Sequence, residues 1–203
     1  MSPTELREAT SATRERLLGA AQALMLAKGF SATTIEDICA AAKVTKGGFF
    51  HYFESKDELG TIVLKRFCES GQALHQNLCG RETDPLKRVY AYLDNMIKLS
   101  QDPVMSQGCL LGLFAQELAT TNSAIRKACC EGFSEWAKGF AKELAAAKAK
   151  YAPRKSFDPD EVAEHLVAVT EGAMILGKSR KDMRVMAPHL RHFKAYVKSL
   201  YEG

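Results

Sequence analysis

Apolar residues recur at intervals of three and four along almost the whole chain, and no segment alternates apolar and polar residues in the two-residue rhythm of a strand. Asn-Gly and Asp-Gly hairpin signals are absent as well. The pattern predicts an all-α protein of about nine helices. Leu17, Ala20, Ala21 and Leu24 form the stripe of a first helix over 13–28, which Gly29 ends. Thr33 and Glu36 have capping-box spacing and open a short helix to Ala42. Lys43-Val44 is a tight turn, and Thr45 caps a third helix that runs to Phe53. Ser55 and Glu58 make a second capping box, for a helix to Gln76.

Longer elements follow. Asp84-Pro85 opens a helix over 85–99, and Pro103 interrupts the pattern. Helices are expected over 108–119 and from Asn122 or Ser123 to Lys150, with a loop at 153–157. Asp158-Pro159-Asp160-Glu161 supplies cap, proline and an acidic first turn for a helix to Lys178. The last helix is expected from Lys181 onward to Tyr201, with Pro188 either falling in its first turn or shifting its start.

Composition narrows the class without fixing it. At 203 residues the chain is long enough for a sizeable core in one or two domains. No apolar run is long enough to span a membrane, and the polar N-terminal segment lacks a signal sequence, so a cytoplasmic location is expected. The six cysteines (Cys39, Cys68, Cys79, Cys109, Cys129 and Cys130) are then expected as thiols. They show no C-x-x-C or C-x-x-H spacing, so no metal or other cofactor is expected. His189 and His192, three apart, read as surface histidines. No grouping of nucleophile, base and orienting residue suggests an enzyme. A net charge of +4 permits nucleic-acid binding without arguing for it.

The informative unit is the pair of short helices around Lys43-Val44. Ile35, Ile38 and Ala42 face a core while Glu36 and Asp37 stay outside. The third helix presents Thr45, Lys46, Gly47 and Gly48 at its start, Phe49 and Phe53 as inward anchors, and His51, Tyr52 and Lys56 beyond. Two adjacent glycines weaken so short a helix but give it a smooth face for close approach.

From Arg14 to Arg66 the sequence resembles the tetracycline-repressor family of one-component regulators. The resemblance rests on Gly29-Phe30, Thr33-Thr34-Ile35-Glu36-Asp37-Ile38, Ala41, Val44-Thr45-Lys46-Gly47, Phe49-Phe50-His51-Tyr52-Phe53 and Lys56-Asp57-Glu58-Leu59. It implies a dimeric repressor that binds a palindromic site on double-stranded DNA and is released by a small-molecule or electrophile inducer. It divides the chain into a DNA-binding domain at 1–56 and a sensing and dimerisation domain at 57–203, joined by the helix at 55–76. It assigns Thr33 and Thr34 to phosphate, Thr45, Lys46, Gly47 and Gly48 to the recognition surface, and His51, Tyr52 and Lys56 to the DNA backbone. Gly48 and Phe50 depart from the pattern, where Ser or Thr and Tyr are usual. Both changes remove a hydroxyl and shift weight to Thr45, Lys46, His51 and Tyr52.

In the second half, Val162, Leu166, Val169, Ala173 and Leu176, then Leu190, Phe193, Val197 and Leu200, make two amphipathic stripes. The resemblance makes this pair the dimer interface, a four-helix bundle. Packing within one subunit is the alternative. Tyr90, Leu93, Met96, Leu110, Phe114, Phe133, Trp136 and Phe140 are candidates to line a ligand pocket or to form ordinary core. Gln107-Gly108-Cys109-Leu110 places a cysteine at a helix start, where the dipole favours thiolate. The segment at 108–118 resembles the N-ethylmaleimide repressor branch, whose sensing cysteine stands here. An inert core thiol is the other reading, and the vicinal pair Cys129 and Cys130 is a lesser sensor candidate. The competing function is an all-helical metabolite-binding or catalytic protein whose N-terminal helices are only structural.

Overall fold

The structure, a computed structural model, describes the backbone of residues 3–79, 81–102 and 108–202, and within these the side chains from residue 11 onward. The described residues are helical, with no strand. The helices are α1 (Pro3–Lys28), α2 (Ile35–Ala42), α3 (Lys46–Tyr52), α4 (Lys56–Leu78), α5 (Pro85–Leu99), α6 (Leu110–Leu118), α7 (Ser123–Tyr151), α8 (Pro159–Arg180) and α9 (Met186–Tyr201). A 3₁₀ turn over Met183–Val185 precedes α9, so the helix start is shifted from Lys181 to Met186 and Pro188 falls in its first turn. The predicted break at Pro103, and Gln107, lie outside the described residues.

Most helix starts follow from their caps. Thr45 Oγ1 accepts from the Gly48 N–H at 3.1 Å. Asp84 Oδ1 accepts from the amides of Leu86 and Lys87, with Pro85 behind it as the first helical residue. Asp158 repeats this arrangement at α8. Asn122 Oδ1 caps α7 through the Ile125 N–H. Three expectations need correction. α1 begins ten residues earlier than Thr13, at Pro3. The cap of α2 is Thr34, in a reciprocal box with Asp37, because Thr33 is buried and donates its hydroxyl to the Gly29 carbonyl at 2.6 Å. At α4, Ser55 caps the Glu58 N–H, but the Glu58 carboxylate reaches the Glu54 N–H instead of closing the box.

The chain forms two compact units. The first joins residues 1–67 to residues 110–129, and the second joins 68–109 to 130–203. The expected division, with all of 57–203 in one domain, is thus crossed by α4, α6 and the start of α7. In the first unit, Leu17, Leu18, Ala21 and Met25 of α1 are buried with Ile38, Phe49, Phe53, Leu59, Leu64 and Phe114. Phe114 of α6 meets Phe30 edge-on at 5.2 Å. The turn after α1 also leans on α6. Glu117 accepts from the Phe30 and Ser31 amides at 3.2 and 2.9 Å, and Gly29, with φ of +92°, turns the chain beside it.

In the second unit, Val89, Tyr92 and Leu93 of α5, Phe140 and Leu144 of α7, Val162 and Leu166 of α8, and Leu190, Phe193 and Val197 of α9 share one core. Tyr92 stacks on Phe140 at 4.9 Å and accepts the indole N–H of Trp136 at 2.9 Å.

Candidate nucleic-acid interface

The reading surface begins with the anchors of α3. Phe49 and Phe53, four apart, are buried and 5.6 Å from each other, which fixes one face of the helix inward. The opposite face is then outward by geometry. Thr45, Lys46, Gly47, Phe50 and His51 are exposed, and Tyr52 is half-buried with its ring edge-on to His51. Behind this face, Lys43 closes α2 in the left-handed conformation, φ 55°, and its N–H reaches the carbonyls of Ala40 and Cys39. The Cys39 thiol points back to the Thr45 carbonyl at 3.8 Å, so the turn between α2 and α3 is held from both ends.

Charge is distributed along the same surface. Lys46 pairs with Glu36 at 2.6 Å, both largely exposed. The hydrogen-bonded ammonium holds the Glu36 carboxyl below its usual range, and Glu36 raises Lys46 in return. Asp37 is held well below the usual carboxylate range by Lys28, at 2.7 Å, and by Thr34. An exposed pair of this kind adds little to stability. It keeps Lys46 at the surface, where another anion can exchange with Glu36.

Two predicted DNA-contacting groups are occupied internally. Thr33 is 0 % exposed, so its hydroxyl is withdrawn from the surface while Thr34 stays exposed. Lys56 donates Nζ to the carbonyls of Phe30 and Thr33 at 3.1 and 3.0 Å and lies 4.4 Å from the Phe30 ring centre. It therefore caps the turn that leads into α2. Gly48 has a steric reason as well: a Cβ there would stand 2.7 Å from Val44 Cγ1, whereas Gly47 faces open space. Phe50, which the sequence marks only by its missing hydroxyl, is a surface residue at 49 % exposure. The helical period held the signal: with Phe49 and Phe53 inward, position 50 lies about 100° away.

The other predicted sites are reshaped more strongly. Val162, Leu166, Ala173, Phe193 and Val197 are buried within the subunit, where α8 and α9 pack on each other. They are the seam of one protomer and have no surface for a second. Of the residues named for the interface, Val169 is half-buried and Leu176 is 37 % exposed. The outward face of α8 carries His165, Ala168, Gly172 and Ile175, and α9 adds Tyr196. Ile175 and Tyr196 are 49 and 42 % exposed, and His165 stacks on Phe193 and meets Tyr196 at a tilt.

The candidate ligand residues fall in both units. Leu110 and Phe114 are buried in the core of the first unit. Tyr90 is half-buried beneath the ammonium groups of Lys194 and Lys198, and Met96 packs on the second unit's core. Phe133 and Trp136 lie half-buried on α7. Cys109 directly precedes α6 and is 8 % exposed. Its thiol donates to Glu171, a buried carboxyl that desolvation pushes up from its usual range. Gly108, at φ +103°, lies against Lys178, whose Cε is 2.6 Å from where a Cβ would stand. His189 is half-buried and His192 exposed.

Comparison with known proteins selects between the two readings of these helices. Residues 17–60 match the family model "Bacterial regulatory proteins, tetR family", and residues 85–193 match "Tetracyclin repressor-like, C-terminal domain". The chain is 30 % identical over 175 residues to the HTH-type transcriptional repressor DhaR of Mycobacterium sp. strain GP1, covering 86 % of each chain. It is 26 % identical over 186 residues to the repressor NemR of Escherichia coli K12, covering 91 % of this chain and 94 % of that one. A TetR transcriptional regulator from Chloroflexus aurantiacus superposes with a TM-score of 0.84 at 25 % identity, over 94 and 96 % of the two chains. With both halves of the fold matched and the α2–turn–α3 surface outward, the chain belongs to the tetracycline-repressor family of dimeric, ligand-responsive, DNA-binding transcription regulators.

Proposed function

We propose that this protein represses transcription from the cytoplasm as a homodimer, laying α3 of each subunit into the major groove of a palindromic operator. The observation that carries the reading is the division of α3 into a buried Phe49–Phe53 edge and an outward face of Thr45, Lys46, Gly47, Phe50 and His51. Lys46 exchanges Glu36 for a phosphate or a guanine edge. Thr34 and Tyr52 contact the backbone, and Phe50 packs on a thymine methyl. Gly47 lets the helix approach closely, and Gly48 keeps its fit against Val44. Thr33 and Lys56 act indirectly, by fixing the turn. Subunits join through Leu176, Ile175, Gly172 and Tyr196, residues that α8 and α9 leave outward. Dimerisation sets the two α3 copies about one DNA turn apart, roughly 34 Å.

Release comes from a small molecule or from modification of Cys109. Its place before α6 and its bond to Glu171 make it sensitive to any group added at sulfur. The test is fluorescence anisotropy on duplex DNA flanking the protein's own gene, across a salt series. The wild-type protein should select one fragment against competitor DNA. Lys46→Ala should weaken binding, and each phosphate it no longer neutralises should lower the slope of log affinity against log salt by about 0.9. Unchanged affinity and slope would place the reading surface elsewhere. Electrophile treatment should release the wild-type complex but not that of Cys109→Ser, and equal release from both would exclude Cys109 as the sensor.

A further inference from the structure

Among the described residues, one group of metal-ligating side chains belongs to none of the surfaces above: His75, Cys79 and Glu143. His75 is in the last turn of α4 and Cys79 in the turn that closes it, four positions on. They share one face, and the Cys79 N–H still bonds the His75 carbonyl at 3.1 Å. Glu143 comes from α7, and one ligand atom from each of the three lies within 4.8 Å of the others. All three are in the second unit.

The spacing suits an ion. The Cys79 sulfur and His75 Nε2 are 3.6 Å apart. Sulfur and nitrogen on a tetrahedral zinc, at about 2.3 and 2.0 Å from the metal, stand roughly 3.5 Å from each other. The surroundings hold the donors in place. The imidazole packs on Tyr92 at 4.7 Å and lies beside Gly139 of α7, where a Cβ would make only ordinary contact, 3.4 Å from His75 Cε1. Arg88 donates Nε to Glu143 Oε2 at 2.6 Å, orienting the carboxylate as an outer partner does and leaving its second oxygen as a donor. With Nε2 as the ligand atom, the other ring nitrogen, Nδ1, is buried without a hydrogen-bond partner. His75 and Glu143 are only half-buried, which gives an ion a way in.

We infer that His75, Cys79 and Glu143 form a binding site for a borderline divalent transition ion of the zinc class, with a fourth position for water or a small-molecule donor. Thiolate, imidazole and carboxylate are the donor types such ions take, and three protein ligands are the pattern of an open site. On binding, the Cys79 thiol releases its proton to solvent as the sulfur–metal bond forms. The ion ties the C-terminal end of α4 to α7.

Cobalt(II) reports each ligand directly. The full-length, reduced, chelator-treated protein is titrated with cobalt(II) and followed by absorption. One equivalent per chain should give a thiolate-to-cobalt charge-transfer band and the visible bands of a four-coordinate ion, and zinc should abolish both. Cys79→Ser should lose the charge-transfer band although five other cysteines remain, and Cys109→Ser should keep it. Glu143→Gln should keep the band at saturation but bind at least tenfold more weakly, a loss no smaller than outer-partner mutations cause. This variant keeps the test valid if Cys79→Ser fails to fold. Absence of the band in the wild-type protein, its persistence in Cys79→Ser, or unchanged affinity in Glu143→Gln would overturn the assignment and leave the trio as hydrogen-bonded core groups.

Discussion

Gly29 and Glu117 are far apart along the chain, yet the structure makes them one device, and their coupling can be measured. Gly29 has φ of +92°, and a Cβ added there would stand 2.3 Å from Glu117 Oε1. That oxygen accepts the Phe30 N–H, and its twin accepts that of Ser31. Gly29→Ala therefore does two things. It strains a backbone position that side chains rarely adopt, at about 1–3 kcal/mol. It also displaces the carboxylate, and a partly buried amide then loses a charge-assisted bond of about 1.5–3 kcal/mol. The Ser31 amide is exposed and finds water. Glu117→Ala loses the same bond without the strain. In the double variant the bond is lost once and the added methyl no longer meets the carboxylate, so it should be scarcely less stable than Gly29→Ala alone. The expected coupling is about 1.5–3 kcal/mol, close to the whole effect of Glu117→Ala. Urea unfolding of all four proteins by circular dichroism, at one fixed chain concentration, reads it out. Additivity within about 0.5 kcal/mol would show that the carboxylate neither meets the methyl nor holds the turn.

Further substitutions test other features. Lys43 and Lys181 close α2 and α8 at φ 55 and 51°, so replacing either by Gly should raise stability by about 1 kcal/mol, visible as a thermal midpoint a few degrees higher; a fall would mean the lysine side chain supports the turn. Burial raises the Glu171 carboxyl, so the folded protein holds this proton above pH 4.5, and stability falls as pH rises through the raised value. Glu171→Gln should therefore be more stable than wild type at neutral pH and lose that advantage in acid; a pH-independent difference would contradict the linkage. Ile175→Asp should yield monomers in sedimentation velocity and abolish operator binding, whereas a retained dimer would move the interface off this face.

What the sequence disclosed depended on how local each determinant is. Caps and terminators act over three or four residues, so Asp84-Pro85, Asp158-Pro159, Thr45 and Gly29 located their helix ends. The choice between Thr33 and Thr34 went the other way. Both have an acidic residue three positions on, and the burial of Thr33 under a bond to Gly29 is a tertiary fact. Lys56 is a similar case: a lysine after a recognition helix suggests phosphate, but two carbonyls and a phenyl ring already hold this ammonium. The same limit hid His75, Cys79 and Glu143, since no spacing in the sequence announces a pair at the end of α4 facing a residue of α7.

The dimer surface shows the limit most clearly. Apolar spacing of three and four finds the faces of α8 and α9 that avoid water, and it cannot say whether water is excluded by the same subunit or by another. The strongest stripe, through Val162, Leu166, Ala173, Phe193 and Val197, is strong because it is buried inside the subunit, most of it in the core shared with α5 and α7. A surface that must stay soluble until it meets a partner is more mixed. The face we propose for dimerisation combines small residues, a histidine and isolated large apolar groups: Ala168, Gly172, His165, Ile175, Leu176 and Tyr196. Gly172 has nothing within 4 Å of a would-be Cβ, so close helix approach across this face meets no obstacle from the subunit itself. An exposed apolar face on a helix pair calls for a partner, and a two-fold axis makes the same patch meet itself, residue i against residue j and j against i. That symmetry is why one substitution at Ile175 should suffice to separate the subunits: in the dimer we propose, each copy carries an aspartate into the apolar face, so the buried-charge cost enters twice.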